Sequence, residues 1–182
     1  MGSNAVEGVI DFSEMPRYLL LGWEAHDKYA RTTRDRVRRH DNKTPYIVHP
    51  TWAASSIMQD PSLPVELRWL GWRVLILHDV LEDTTLKLPD WVPEEVCRSV
   101  EMMSFESSQV EMKDIWSRPG GIRLFKLYDK VSNLLDGTWM DSREPGYRER
   151  YEQYALRLAD DVELRFGTLN ICRIARAICR TA

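Results

Sequence analysis

The sequence predicts an all-α fold, a single-domain helical bundle, and three observations support this prediction. Large apolar side chains recur three and four residues apart in several long stretches, as they do on the buried face of an α-helix. No stretch alternates apolar and polar residues as a half-buried strand does, and we find no repeat or low-complexity tract. A chain of 182 residues with 43% hydrophobic side chains is long enough for one sizeable core and too short for two full domains.

Composition also limits the location and the partners of the protein. A net charge of −3 gives no long-range attraction to nucleic acid, and no apolar run approaches the ~20 residues of a membrane span. Nothing resembles a secretory signal, and the three cysteines lack the spacing of a zinc site or a disulfide framework. We therefore expect a cytoplasmic protein without a nucleic-acid or membrane partner, and composition leaves the oligomeric state open. The domain is expected over residues 11–182, after a disordered or vector-derived N-terminus at residues 1–10.

The helices can be placed in order from their apolar spacing and from the proline and glycine residues between them. The first carries Tyr18 and Trp23 on one apolar face, and a basic stretch over residues 31–43 follows it. Residues 84–93 and 104–117 are predicted to be loops, the second polar, irregular and part of a candidate lid over 104–121. Further helices are predicted from Pro50 to Met58, over residues 67–77, from Glu94 to Met103, over residues 123–135 with Gly137 as a cap, from Tyr147 to Phe166 and from Leu169 to Ile178.

A dense group of metal-binding side chains follows the helix predicted over residues 67–77. If that helix continues, Glu82 and Asp83 lie one turn after His78 and Asp79, so the four side chains share one side and can converge. Burial of so many ionisable groups without partners is costly, and a bound cation is one way to offset that cost. The alternative is a helix end whose acidic residues simply face water.

Two distant stretches add further ligands. His49 directly precedes Pro50, a residue suited to the first turn of a helix, and Asp129 lies on the helix predicted over residues 123–135. Together with His78 and Asp79 they supply two imidazoles and two carboxylates. This set suits one divalent ion of borderline character, with Mn²⁺ the best fit, and leaves positions open for water.

Three sequence blocks carry a resemblance to a known family. They are residues 44–50 (TPYIVHP), 78–84 (HDVLEDT) and 126–133 (KLYDKVSN). Their order and spacing resemble those of the HD superfamily of metal-dependent phosphohydrolases. More narrowly, they are similar to the guanosine tetraphosphate (ppGpp) hydrolase domain of Rel/Spo proteins and of their small single-domain homologues. The resemblance covers about residues 25–154 and implies an HD-type helical bundle, one bound divalent metal ion and a small nucleotide substrate.

The resemblance also implies roles for individual residues. Glu82 and Asp83 match a catalytic pair in an attack that releases pyrophosphate from the 3′ position, and carboxylates beside a cation can orient water and move a proton. Arg38 and Arg39 match the basic pair that stacks on the base and holds phosphate, tasks that suit guanidinium groups. Positions near the ribose and the phosphates are matched by Lys126, Asn133 and Tyr151, although Tyr151 fits equally well as an aromatic residue of the core.

Departures from the family pattern leave the substrate open. The residues before Arg38 lack the family's usual histidine and glutamine, and Tyr128, Lys130 and Ser132 replace a small residue, an arginine and a histidine. The best guess is a guanosine 3′,5′-bis(diphosphate) 3′-pyrophosphohydrolase. The alternatives are an HD-type nucleotidase, an NADPH 2′-phosphatase and a non-catalytic nucleotide-binding HD module.

Overall fold

A computed structural model describes residues 12–180 of the chain, and the N-terminus predicted at residues 1–10 lies outside them. Within the described part no strand forms, and the β contacts are two isolated bridges. The predicted all-α class is therefore confirmed. No described helix is long and apolar enough to span a membrane. The α-helices are α1 (Met15–Lys28), α2 (Val48–Met58), α3 (Val65–Leu77), α4 (Val80–Asp83), α5 (Glu94–Met103), α6 (Ser108–Asp114), α7 (Gly120–Leu135), α8 (Tyr147–Phe166) and α9 (Asn170–Arg180), and 3₁₀ helices form at Phe12–Glu14, Thr33–Asp35, Ile115–Ser117 and Gly137–Ser142.

Helix α7 lies at the centre of the bundle. It packs against α2, α3, α5, α8 and α9, and apolar residues such as Leu124, Leu127 and Val131 are fully buried. The same helix carries Lys126 and Asp129, which are also buried. Because most of α7 is buried, the polar residues on it are brought into the interior together with its apolar ones.

Local chemistry fixes the ends of two helices where the sequence predicts them. Helix α5 begins after Pro93 and carries acidic residues in its first turn, where carboxylates interact favourably with the helix dipole. Helix α8 lies between Gly146 and Gly167, whose φ angles of 76° and 79° favour glycine at both ends. Proline and glycine at these boundaries made both helices predictable to the residue.

The helix predicted over residues 67–77 ends at Leu77, so the possible continuation through His78 does not form. Helix α3 ends at Leu77 and α4 begins at Val80. The Nδ1 atom of His78 donates to the carbonyl oxygen of Leu75 at 2.7 Å, an acceptor that a continuous helix would use for the N–H of Asp79. The N–H of Asp83 still donates to the carbonyl of Asp79 at 2.9 Å. Glu82 and Asp83, the carboxylates of α4, therefore still lie about one helical turn after His78 and Asp79.

The segment predicted as irregular over residues 104–117 is also more ordered than expected. It contains α6 and a 3₁₀ helix. The Oγ atom of Ser107 accepts from the N–H of Val110 at 3.3 Å, so a polar residue that suggested a loop is in fact an N-cap. Gly137 follows the C-cap residue Asp136, as a capping glycine does, but its φ angle is not positive and it begins the next 3₁₀ helix, so the expected left-handed cap does not form.

Candidate active site

Four predicted ligand residues converge on one point inside the protein. The Nε2 atoms of His49 and His78 lie 3.3 Å apart. The Oδ2 atom of Asp79 lies 3.6 Å from the first and 3.0 Å from the second, and Oδ1 of Asp129 lies 3.3 Å and 3.5 Å from them. His49, His78 and Asp79 each offer an atom within 4.8 Å of the others, and all four residues are buried. Three helical segments that are distant in sequence thus contribute to one cluster of donor atoms.

The chemistry of this cluster fits a cation. The Nδ1 atom of His78 faces the carbonyl oxygen of Leu75, which can only accept, so Nε2 of the neutral ring turns a lone pair inward. The hydroxyl of Ser132 lies 2.8 Å from Nδ1 of His49 and 3.5 Å from the carbonyl of the same residue, an arrangement in which the hydroxyl accepts from Nδ1. Two imidazole lone pairs and two carboxylate oxygens then face one another, and a positive charge between them satisfies all four.

Burial and charge separate the pKa values of the ligands. Burial, aided by Arg38, lowers the pKa of His49 to about 4, so this ring is neutral at pH 7. Burial alone would lower the pKa of His78, but Asp79 and Asp129 outweigh it and raise that pKa to about 10. Burial opposes ionisation of the two carboxyls, yet His78 keeps the pKa of Asp79 low and neighbouring lysines keep that of Asp129 well below its usual range. A proton on His78 thus supplies positive charge in the metal-free cluster.

Two hydrogen-bonded side chains orient the carboxylate ligands. The hydroxyl of Tyr46 donates to Oδ2 of Asp79 at 2.7 Å, and Nδ2 of Asn133 donates to Oδ1 of Asp129 at 2.8 Å. The side-chain oxygen of Asn133 accepts from Arg38 at 2.8 Å. Arg38 in turn binds both oxygens of Asp136, at 2.8 Å and 3.0 Å, which fixes this buried guanidinium in place.

Two lysines of α7 surround the outer oxygen of Asp129. The Nζ atoms of Lys126 and Lys130 each lie 3.1 Å from its Oδ2. Glu111 of α6 contacts the same two ammonium groups, at 3.1 Å and 2.9 Å. All four side chains are buried, so two cations and two anions compensate one another beside the ligand cluster.

An open cavity of about 750 Å³ lies above the cluster. A volume of this size is typical of sites for small molecules and cofactors. His49 and His78 lie behind the cavity wall, whereas the other predicted site residues line it. On this wall the guanidinium of Arg39 lies 5.2 Å from the ring centre of Trp139. The predicted residues on the wall are Arg38, Arg39, Asp79, Glu82, Asp83, Lys126, Asp129, Asn133 and Tyr151.

Glu82 and Asp83 line the cavity but provide none of the clustered ligand atoms. The Oε1 atom of Glu82 accepts from the backbone N–H of Phe105 at 2.9 Å. Burial raises the pKa of Glu82 to about 6 although Lys126 opposes the shift, and burial together with Asp79 raises that of Asp83 to about 7. Both carboxyls can therefore take up and release protons near neutral pH.

Four further residues of the site were not among those predicted. Tyr46 and Lys130 lie inside the quoted sequence blocks, and Lys130 is one turn after Lys126, so their positions gave a signal that could have been used. Glu111 and Trp139 gave none, because only the packing of α6 and of the segment after α7 brings them to the cavity.

Comparison with known proteins agrees with this fold. No family model matches the chain. Human guanosine-3′,5′-bis(diphosphate) 3′-pyrophosphohydrolase MESH1 is 28% identical over 123 residues, which cover 62% of this chain and 67% of the relative. A solved structure described as a metazoan orthologue of SpoT that hydrolyses ppGpp and plays a role in starvation responses has a TM-score of 0.69 at 18% identity, over 96% of this chain and 98% of its own. At 18% sequence identity, this structural similarity shows that the two proteins share a fold. In its sequence blocks, its helical fold and its central histidine–aspartate cluster, the chain resembles the HD-type metal-dependent phosphohydrolases of the ppGpp hydrolase branch.

Proposed function

We propose that this protein is a metal-dependent hydrolase of a nucleotide phosphoester, and that it releases pyrophosphate from the 3′ position of guanosine 3′,5′-bis(diphosphate). The observation that carries the proposal is the cluster of His49, His78, Asp79 and Asp129 at the floor of a cavity large enough for a nucleotide. The similarity to the human enzyme named for this reaction supports the choice of substrate.

In this proposal the four clustered residues hold one divalent cation. Two imidazoles with two carboxylates favour a borderline ion, and we propose Mn²⁺. When bound, such an ion lowers the pKa of a water ligand and polarises a phosphoryl oxygen. Tyr46 and Asn133 keep the two carboxylates turned toward the centre through their hydrogen bonds.

Glu82 and Asp83 carry the protons of the reaction. Their raised pKa values let either carboxylate accept a proton from the attacking water near pH 7 and return it to the leaving group. The bond from the N–H of Phe105 holds one oxygen of Glu82 in place and leaves the other available. Glu82 and Asp83 lie on the cavity wall and contribute no atom to the ligand cluster, so we assign them the transfer of protons and not the binding of the cation.

The remaining wall of the cavity suits a nucleotide. Lys126 and Lys130 provide ammonium groups for phosphate beside the cation site, and Asn133 and Tyr151 lie next to them for contacts with the ribose and the phosphates. The space beside Arg39 and Trp139 on the cavity wall can take a base by stacking on both a guanidinium and an indole. Arg38 is already bound to Asp136 and Asn133, so we assign it to shaping the cavity wall.

A substrate panel tests the proposal. Purified protein with Mn²⁺ is incubated with ppGpp, NADPH and deoxynucleoside monophosphates, and the products are separated by chromatography. We expect pyrophosphate and guanosine 5′-diphosphate from ppGpp, and no product from the Asp79→Ala variant. Inorganic phosphate from NADPH would indicate a 2′-phosphatase, and phosphate from the monophosphates alone would indicate a nucleotidase. Tight nucleotide binding without product over hours, with enzyme in excess, would indicate a non-catalytic module.

We also propose that the protein acts in the reducing cytoplasm. Cys97, Cys172 and Cys179 are all free thiols, which supports this location.

A further inference from the structure

Glu111 is the one acidic side chain of α6 that reaches the lysines of the cavity. Its Oε2 atom lies 3.1 Å from Nζ of Lys126, and both of its oxygens lie 2.9 Å from Nζ of Lys130. The carboxylate therefore bridges two ammonium groups with two oxygens. A tetrahedral phosphate presents pairs of oxygens in a similar way, so a phosphate and this carboxylate suit the same pair of lysines.

Among the residues that the structure describes, neither lysine beside the ligand cluster is left without a carboxylate partner. Lys126 and Lys130 are each paired with Asp129 and with Glu111. A phosphate that arrives here meets a neutral group of four charges, and it gains a full ion pair only when one carboxylate leaves. Asp129 is retained by Asn133 and by the two imidazoles of the ligand cluster, on the central helix of the bundle.

Glu111 has fewer polar partners than Asp129. It lies on a helix of seven residues, Ser108–Asp114, whose outward residues Gln109 and Lys113 are exposed to solvent. Residues that precede this helix also line the cavity, and the N–H of Phe105 donates a hydrogen bond to Glu82 there. A movement of the Glu111 side chain out of the lysine pair changes the charge of the cavity wall.

We propose that Glu111 is a specificity-determining residue, an internal carboxylate that occupies Lys126 and Lys130 until a substrate phosphate displaces it. The inference rests on the proposed function, since it assigns these lysines to substrate phosphate. Anions that engage both lysines at once can replace Glu111, whereas singly charged carboxylates cannot. The site thereby selects substrates that carry a phosphate at this position over other nucleotides and acids.

The first test measures phosphate binding directly. The metal-loaded protein, freed of excess cation, is titrated with inorganic phosphate in a calorimeter. Removal of the competing charge in Glu111→Gln should tighten binding about tenfold, the size expected for one charge-assisted contact. Glu106→Gln is the matched control, because Glu106 lies on the same segment, lines the same cavity and is exposed. Equal affinity in the wild type and in Glu111→Gln overturns the proposal, since a merely structural role for Glu111 gives no gain in affinity.

A second measurement needs no variant and so remains decisive if Glu111→Gln fails to fold. Hydrogen exchange of the wild-type protein is followed with and without saturating phosphate, and the amides of residues 105–114 should exchange faster when phosphate has displaced Glu111. Unchanged or slower exchange in this segment while phosphate binds contradicts the displacement. Hydrolysis of ppGpp is assayed separately. A protein that shows tighter phosphate binding in Glu111→Gln but no turnover refutes the proposed reaction and leaves the role of Glu111 intact.

Discussion

The carboxyl groups around the cavity fall into two kinds that differ in their nearest neighbours. Asp79 and Asp129 face imidazole or ammonium groups, and the pKa of each lies below its usual range. Glu82 and Asp83 are partly buried, and Asp79 adds like charge nearby, so their pKa values are raised. Asp79 and Asp129 therefore remain ionised at neutral pH, whereas Glu82 and Asp83 gain and lose protons there.

Replacement of the second pair by amides should separate metal binding from turnover. In a protein with Glu82→Gln and Asp83→Asn, the amide side chains keep the shape of the carboxylates but cannot accept a proton. We expect retained Mn²⁺, a substrate KM within a few-fold of the wild type, and a kcat lower by about 10²–10⁴. Bound metal is measured by atomic absorption and turnover by product chromatography. Glu106→Gln, which removes one exposed charge from the same cavity, serves as the control.

The pH profile gives the same experiment a second readout. A protonated carboxyl cannot accept a proton, so the rate of the wild type should fall as the pH drops through the pKa values of about 7 and about 6. A bound cation favours the ionised forms, which places the acidic limb at these values or lower. A double variant with near-normal turnover, or with an unchanged acidic limb, would show that other groups move the proton.

At the level of single residues, the sequence revealed the groups that stand in dense blocks. His78, Asp79, Glu82 and Asp83 lie so close together that their chemistry is visible without a structure. Glu111 and Trp139 stand in stretches of the sequence that carry no recognisable motif. They reach the cavity because helices pack around α7, and no local pattern encodes that packing.

Among the glycines that the structure describes, Gly71 has the least space around it, where α2 and α7 meet α3. A Cβ atom there would come within 2.5 Å of Cδ1 of Ile57 and 2.7 Å of Cε1 of Phe125. These three helices also carry His49, lead into His78 and carry Asp129. The spacing that packs the core is thus the spacing that brings the ligands together.

Gly71→Ala should therefore affect stability and metal binding together. The added methyl group must displace the side chain of Ile57 and the ring of Phe125, and overpacking of this kind costs about 1–3 kcal/mol. We expect that loss in urea unfolding, with weaker Mn²⁺ binding. Gly121→Ala in the first turn of α7 is the control, since its Cβ would meet only Leu67 at 3.9 Å within the usual contact range. Equal stability of the Gly71 variant and the wild type would contradict this account of the helix spacing.

Helix ends were predictable where the backbone itself dictates them. Pro93, Gly146 and Gly167 mark such ends directly. The break at His78 was not, because it depends on an imidazole that takes a backbone carbonyl, and amino-acid spacing carries no sign of that bond. Helix α6 was missed for a related reason, since serine suits a loop and an N-cap equally well.

In the whole molecule, the ligands come from parts of the chain that meet only when it is folded. A cation that binds there stabilises the native state, by about 2.7 kcal/mol at a hundredfold excess over Kd. For a chain of this size we expect chelation to lower Tm by roughly 5–10 °C. Calorimetry with Mn²⁺ and with chelator measures the shift, and Asp79→Ala should show none. A wild-type Tm that does not respond to chelation would argue against a resident cation.

The pairing of Arg38 with Asp136 has a consequence for the protein while it is being made. These two residues are 98 positions apart in the sequence. His49 likewise contacts Ser132, which lies 83 positions later. A chain grows from its N-terminus on the ribosome, so the histidines of the first half emerge long before α7 does. Until Asp129 and Asp136 have left the ribosome, the early segments cannot close around a nucleotide or complete a cation site. The four clustered residues can therefore meet only after α7 has left the ribosome.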